Sequence, residues 1–119
     1  VKDVNLALRD FRWVNEALPG KVGGQDIDFV LSQAKTGRVL MLEMKPDGAF
    51  VSLGARLTFK VFVNMPGIDV WVVWGPDKAG DVARARMDLN GEWDEVDTMS
   101  VDCLAEDIAA WWAAGLDQG

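Results

Sequence analysis

Residues 25–33 (QDIDFVLSQ), 34–37 (AKTG) and 38–45 (RVLMLEMK) decide how this chain folds. The two outer runs are short, alternate in character and are rich in β-branched and other apolar residues, which marks strands. The four residues between them have turn chemistry. A four-residue loop pairs Gln33 with Arg38. Counting outward, Asp28 then falls opposite Glu43, and Asp26 opposite Lys45. Directly opposed residues share a face, with Cβ atoms roughly 5 Å apart. A five-residue loop pairs Asp28 with Leu42 instead. That slip sends Glu43 and Lys45 to the other face, because side chains alternate with a period of two. Only a bulge would restore the first arrangement.

The four-residue register gives the hairpin two unlike faces. Ile27, Phe29, Leu31, Leu40, Leu42 and Met44 make one apolar face, expected to be buried. The other carries Val30, Val39 and Met41 near the turn, then Asp28, Glu43, Asp26 and Lys45 further out. A sheet covered on both sides, with charges where the cover stops, gives this pattern. Like charges directly opposed are destabilising, so Asp28 across from Glu43 calls for a shared proton or a cation. One Mg²⁺ with oxygen ligands at about 2.1 Å fits between two such carboxylates. The alternative is a solvated charge ladder in which Lys45 pairs with Asp26. It accounts for Lys45 and leaves the opposed carboxylates unexplained.

Working outward, Asp3 caps a helix in which Val4, Ala7, Leu8, Phe11, Val14 and Leu18 form one stripe, and Pro19-Gly20 ends it. Gly20, Gly23 and Gly24 follow a helix and precede a strand, the wrong order for a nucleotide-binding loop, and read as a linker. A second helix is expected from Ser52 to about Met65, stopped by Pro66-Gly67. Residues 68–74 (IDVWVVW) are apolar on both faces apart from Asp69, as in a central strand. Residues 82–89 and 92–97 flank Asn90-Gly91, a hairpin signal. Ser100 then caps a last helix with Val101, Leu104, Ile108, Trp111 and Trp112 toward the core. The lone Cys103, on that helix, cannot form an internal disulfide and is expected to be buried.

An Asp, fourteen residues, then Glu-x-Lys, on a hairpin after an N-terminal helix, resembles the PD-(D/E)XK nuclease superfamily. The closest likeness is to virus-type replication–repair nuclease domains and Holliday-junction resolvases. The resemblance runs from the first helix to about Trp74 and includes Lys45-Pro46-Asp47-Gly48, Ser52 opening a helix, and the apolar strand after it. It implies an α/β fold with a restriction-endonuclease-like core: a mixed β-sheet flanked by helices, in the order α-β-β-(β)-α-β, plus a C-terminal hairpin and helix, in one domain over residues 1–119. It implies Mg²⁺, with Mn²⁺ able to substitute, held by Asp28, Glu43 and the backbone carbonyl of Met44. Lys45 would orient or activate the attacking water. Glu16 matches a position where many relatives place another acid; as a sequence feature it reads equally as a surface partner of Arg12 at i, i+4. Asp26 and Ser52 are additional candidates. The replication–repair type has Gln three residues after that Ser, where this chain has Ala55. The implied activity is metal-dependent hydrolysis of DNA, with branched or junction DNA as target.

The residue types suit that chemistry. A phosphodiester's anionic oxygens repel nucleophiles, and a metal ion both lowers the pKa of bound water and stabilises transition-state charge. Lysine adds a compact point charge. There is no His and no Tyr, which removes histidine-metal sites, the Ser-His-Asp triad and tyrosine-linked strand transfer.

At 119 residues and half apolar, the chain suits one globular domain with a single core. No apolar run reaches spanning length and no secretory signal pattern occurs, so a soluble, cytoplasmic protein without a membrane partner is expected. The net charge of −7 does not favour a polyanion, but it is unevenly spread. Residues 1–60 hold nine Lys/Arg against seven Asp/Glu, and residues 61–119 hold three against twelve. Arg9, Lys21, Lys35, Arg38, Arg56 and Lys60 are the candidate phosphate contacts, and DNA binding should be weak and salt-sensitive. A symmetric junction would suit a homodimer, with Trp93 and the Trp111-Trp112 end as candidate surfaces; the alternative for those rings is core packing. A catalytically silent fold using its acidic half to meet a basic partner, or to mimic DNA, is the competing expectation.

Overall fold

The hairpin forms in the four-residue register. The computed structural model describes residues 28–117; the expected first helix, the glycine linker, and Arg9, Glu16, Lys21 and Asp26 lie outside the described residues. Strand β1 (Phe29–Ser32) runs antiparallel to β2 (Val39–Lys45), with Phe29 opposite Leu42 and Ser32 opposite Val39. The turn closes through Gln33 N–H donating to the Arg38 carbonyl at 2.8 Å and Gly37 N–H to the Gln33 carbonyl at 2.8 Å. Gly37 sits at φ 75°, a left-handed conformation that glycine adopts without a Cβ clash.

Helix α1 (Leu53–Val63) follows β2. Ser52 is its N-cap, the hydroxyl accepting from Ala55 N–H at 3.1 Å, and Asn64 ends it two residues before Pro66. The helix therefore stops a residue or two short of the expected Met65, because Asn64 N–H already caps it through the Lys60 and Phe62 carbonyls. Strand β3 (Ile68–Trp74) returns parallel to β2, Val39 facing Ile68 and Lys45 facing Trp74. β4 (Asp81–Arg86) and β5 (Asp97–Ser100) add antiparallel strands, so the sheet runs β1-β2-β3-β4-β5. Ser100 Oγ accepts from Cys103 N–H at 3.1 Å, capping helix α2 (Val101–Asp117).

Among the described residues the result is an α/β fold: a five-stranded mixed sheet with one helix on each face. On one side Leu40, Leu42, Trp71, Val73 and Val82 pack against Leu104 and Trp111 of α2. On the other, Met41, Val70 and Met87 pack against Ala55, Phe59 and Val63 of α1. Strand β3 is buried from both sides at residues 70–73, as its apolar run over 70–74 requires.

Several expected positions differ. The hairpin around Asn90-Gly91 forms, but its ladder lies further from the turn than expected, from Asp81 opposite Ser100 to Arg84 opposite Asp97. Nearer the turn only the bridge Met87 to Trp93 remains, and the Asp88 carboxylate closes the turn by accepting from the Asn90 and Glu92 N–H groups. The second strand then resumes only at Asp97. Phe29 and Met44, assigned to the buried face, are about half exposed, since they lie at the end of the hairpin away from the apolar cluster under α2. Val101 and Cys103 are also exposed: they occupy the first turn of α2, before the helix meets the sheet at Leu104. The tryptophans offered as a dimer surface are internal or half-buried. Trp111 is buried and Trp112 packs against the same cluster, while Trp93 sits edge-on to Phe59, with ring centroids 6.5 Å apart.

Candidate active site

The ladder between β1 and β2 ends at Phe29 and Leu42, and Asp28 is the next residue, in a bend. The hydrogen bond joining Gln33 to Arg38 fixes the alternation along the hairpin. Positions 31/40 and 29/42 repeat that pattern, and 30/41 and 28/43 fall on the non-hydrogen-bonded steps, where facing side chains come closest. Continued one step, the alternation would set Asp28 across from Glu43 on the face shared with Met41 and α1, but the ladder ends before that step. The Asp28 carboxylate turns onto β2, its Oδ2 accepting from Met44 N–H at 2.8 Å. That bond takes the place of the next ladder bond.

The backbone of β2 is oriented by its neighbours. The Lys45 carbonyl faces β3, where it accepts from Gly75 N–H at 2.9 Å. Within a strand the N–H and carbonyl of one residue point the same way and those of the next point oppositely. Met44 therefore directs both its N–H and its carbonyl toward the β1 edge, where Asp28 lies. Carboxylates and backbone carbonyls are hard oxygen donors of the kind that suit Mg²⁺, and Asp28, Glu43 and Met44 all lie at the outer end of the hairpin. Among the described residues, no group of three or more His, Cys, Asp or Glu is placed to hold a metal ion; the third donor here belongs to the backbone.

Glu43 is largely covered, with 12% of its side chain exposed, and its Oε1 lies 3.5 Å from Lys45 Nζ, itself 27% exposed. The two side chains stand on one face two residues apart, beside Val72 and Trp74 of β3. Lys45 thus turns along its own strand toward Glu43. Asp26, its expected cross-strand partner, is outside the described residues.

The remaining candidates are scattered. Arg38 is on the opposite face, under α2. Its guanidinium lies 4.3 Å over the Trp111 ring, donates to the Trp111 carbonyl at 2.9 Å and sits 3.7 Å from Asp69. It ties the hairpin turn to the last turns of α2, where a cation also meets the negative end of the helix. Lys35 is exposed on the turn. Arg56, on α1, lies 3.7 Å from Glu92, and the Lys60 stem packs against Gly91. Ser52 is occupied in capping α1, and Ala55 is buried in the core, so that position offers no side chain to a substrate.

A cleft of about 550 Å³ opens on the α1 face beside Lys45, lined by Asp47, Phe50, Leu53, Arg56, Trp74 and Trp93 among others. Sequence reading missed it, because its walls come from the loop after β2, from α1, and from β3 and the segment after β4. The register partner of Lys45, Trp74, was the one available signal: a large aromatic at the end of an apolar strand. Sequence reading also missed the Arg84 cluster on the other face. There the guanidinium, 8% exposed, bridges Asp97 at 3.1 Å and Asp107 at 3.3 Å and lies 5.0 Å from the Trp71 ring centre.

No protein-family model, no curated protein and no solved structure matches this chain. Among the described residues no helix is long and apolar enough to cross a membrane.

Proposed function

We propose that this protein is a metal-dependent DNA endonuclease of the PD-(D/E)XK type, hydrolysing phosphodiester bonds in branched or junction DNA. One observation supports the reading: the residue after the end of the ladder, Asp28, accepts from the Met44 N–H in the middle of Glu43-Met44-Lys45. The order hairpin, helix, parallel strand supports a restriction-endonuclease-like core.

In this reading Asp28, Glu43 and the Met44 carbonyl would hold Mg²⁺ or Mn²⁺. The bound ion would supply an acidified water and stabilise charge on the phosphate. Glu43 holds the Lys45 ammonium in place. Lys45 in turn orients the attacking water and offsets negative charge on the phosphate oxygens. The apolar floor of Val72 and Trp74 limits water access and strengthens these electrostatic contacts.

The test is incubation with duplex, single-stranded, flap and four-way DNA, in Mg²⁺ or Mn²⁺ and in EDTA. Metal-dependent cleavage by the wild type, lost by at least about 100-fold in Glu43→Ala and Lys45→Ala, is the expected result, as when a group stabilising the transition state is removed. Cleavage surviving in either variant removes the site.

A second reading is favoured by a different observation. Asp28 and Glu43 both hold protein partners, the Met44 N–H and the Lys45 ammonium. Glu95, Asp97, Asp102 and Glu106 are exposed in the acidic half. A silent nuclease fold whose acidic surface meets a basic protein, or mimics DNA, would show no cleavage of any substrate and no Mn²⁺ binding by calorimetry.

A further inference from the structure

The cleft beside Lys45 has the composition of a stacking site. Trp74, Trp93 and Phe50 supply three aromatic walls, with Leu53, Val51, Ala83 and Val96 between them. Two of the rings are fixed before anything binds. Trp74 Nε1 donates to the Ala49 carbonyl at 2.8 Å, and Trp93 is braced edge-on by Phe59. Phe50, the third ring, is 84% exposed. The volume falls within the range of small-ligand pockets, roughly 300–1,000 Å³.

Its charged groups are few and placed at the edges. Arg56 is half-buried on the α1 side, held only loosely by Glu92 at 3.7 Å. Asp47 is on the loop that follows Lys45. Lys45 itself stands one strand away from Trp74, about 4.8 Å between backbones. A ligand seated among the rings meets one cation in the lining, Arg56, while Lys45 stands outside it on the neighbouring strand with its ammonium toward Glu43. An anionic backbone can run past Arg56, and Asp47 can accept a hydrogen bond from an exocyclic amine. Aromatic walls with a cation at the edge fit a planar, neutral ring carried on a phosphate chain.

We infer that this cleft binds an unpaired nucleobase of a single-stranded DNA segment, stacked among Trp74, Trp93 and Phe50, next to the phosphate that Lys45 contacts. The inference rests on the nuclease reading for its phosphate and names the substrate feature which that reading leaves open. Bases inside a duplex are stacked on one another and cannot enter, whereas a displaced base at a junction, flap or gap can. Branched DNA would then be selected by its unpaired nucleotides, through rings that tolerate any base.

The test reads binding without cleavage. The intact chain in EDTA and low salt is titrated, by intrinsic tryptophan fluorescence, with oligothymidylate, with an abasic oligomer of equal length and with a blunt duplex. Oligothymidylate should quench the emission, while the abasic strand and the duplex should not. Phe50→Ala, at an exposed position that the fold does not need, should weaken oligothymidylate binding about tenfold, as expected for loss of one stacking partner. Trp93→Phe, which keeps a ring against Phe59, should weaken it less. Equal binding of the abasic and thymidine strands, or unchanged affinity in Phe50→Ala, overturns the inference. Selective quenching by an apolar peptide in place of the oligomer also overturns it. The outcomes separate from those of the nuclease reading: cleavage without base-dependent quenching leaves the nuclease and removes the stacking site, and quenching without cleavage does the reverse.

Discussion

Replacing Asp28 by Asn tests the metal reading without a large change in fold stability. The amide keeps an oxygen in the place of Oδ2, so the hydrogen bond from Met44 N–H survives in neutral form. Losing its ionic character at an exposed position costs about 0.5–1 kcal/mol. Against that, the substitution removes repulsion from Glu43 across the strand pair. Two unit charges about 5 Å apart, in the high effective dielectric of a partly exposed site, repel by about 1 kcal/mol. In EDTA the two effects nearly cancel, and Asp28→Asn should melt within a few degrees of the wild type. With Mg²⁺ the two proteins should part. An ion at about ten times its Kd stabilises the native state by about 1.4 kcal/mol, roughly 5 °C in a domain of this size. The wild type should show that rise in thermal denaturation, followed by circular dichroism with and without Mg²⁺. Asp28→Asn should lose most of it. A Mg²⁺-dependent rise that is equal in both proteins, or absent in the wild type, refutes the ligand role of Asp28.

Three further outcomes follow from packing. Ser52→Ala removes the cap of α1 and should cost about 1 kcal/mol, measured by urea denaturation, while leaving cleavage per folded molecule unchanged; a selective loss of turnover would instead make Ser52 a substrate contact. Arg84→Ala strips a covered guanidinium from Asp97, Asp107 and Trp71 and should destabilise by about 2–3 kcal/mol, less than a fully buried pair because both carboxylates are half exposed. Since Arg84 lies on the α2 face, the Mg²⁺-dependent rise should survive in that variant. Leu40→Ala, at a position with no exposure, should cost about 3 kcal/mol by opening a cavity between β2 and α2, and a cost below about 1 kcal/mol would contradict the placement of that core.

The hairpin was legible from its letters because two local rules agree. The period of two assigns each residue to a face, and a four-residue turn with Gly37 in a left-handed conformation fixes which residues face each other. The β3 strand and both helix caps were legible for similar reasons: Ser52 and Ser100 are local signals, read within one turn of the helix. The contact of Asp28 with the Met44 N–H inherits this locality, since only one turn separates the two strands.

What local rules could not reach was how far each helix extends over the sheet. Phe29, Met44 and Val101 alternate or repeat as core residues should, yet they are exposed. Their period is correct, but the covering element stops short of them. Arg38 reads as a surface cation in sequence and becomes a tie between turn and helix only when α2 brings Trp111 beneath it. The cleft at Trp74 and Trp93 is assembled from segments far apart along the chain. Sequence alone determined the strands, the turn between them and two registers one residue apart, because side-chain period and turn chemistry act between neighbours; the closed turn from Gln33 to Arg38 selected the four-residue register. Tertiary structure alone decided which apolar groups are covered, which cations are already engaged and where a flat ligand could sit, because burial depends on surfaces that meet only after the chain has folded.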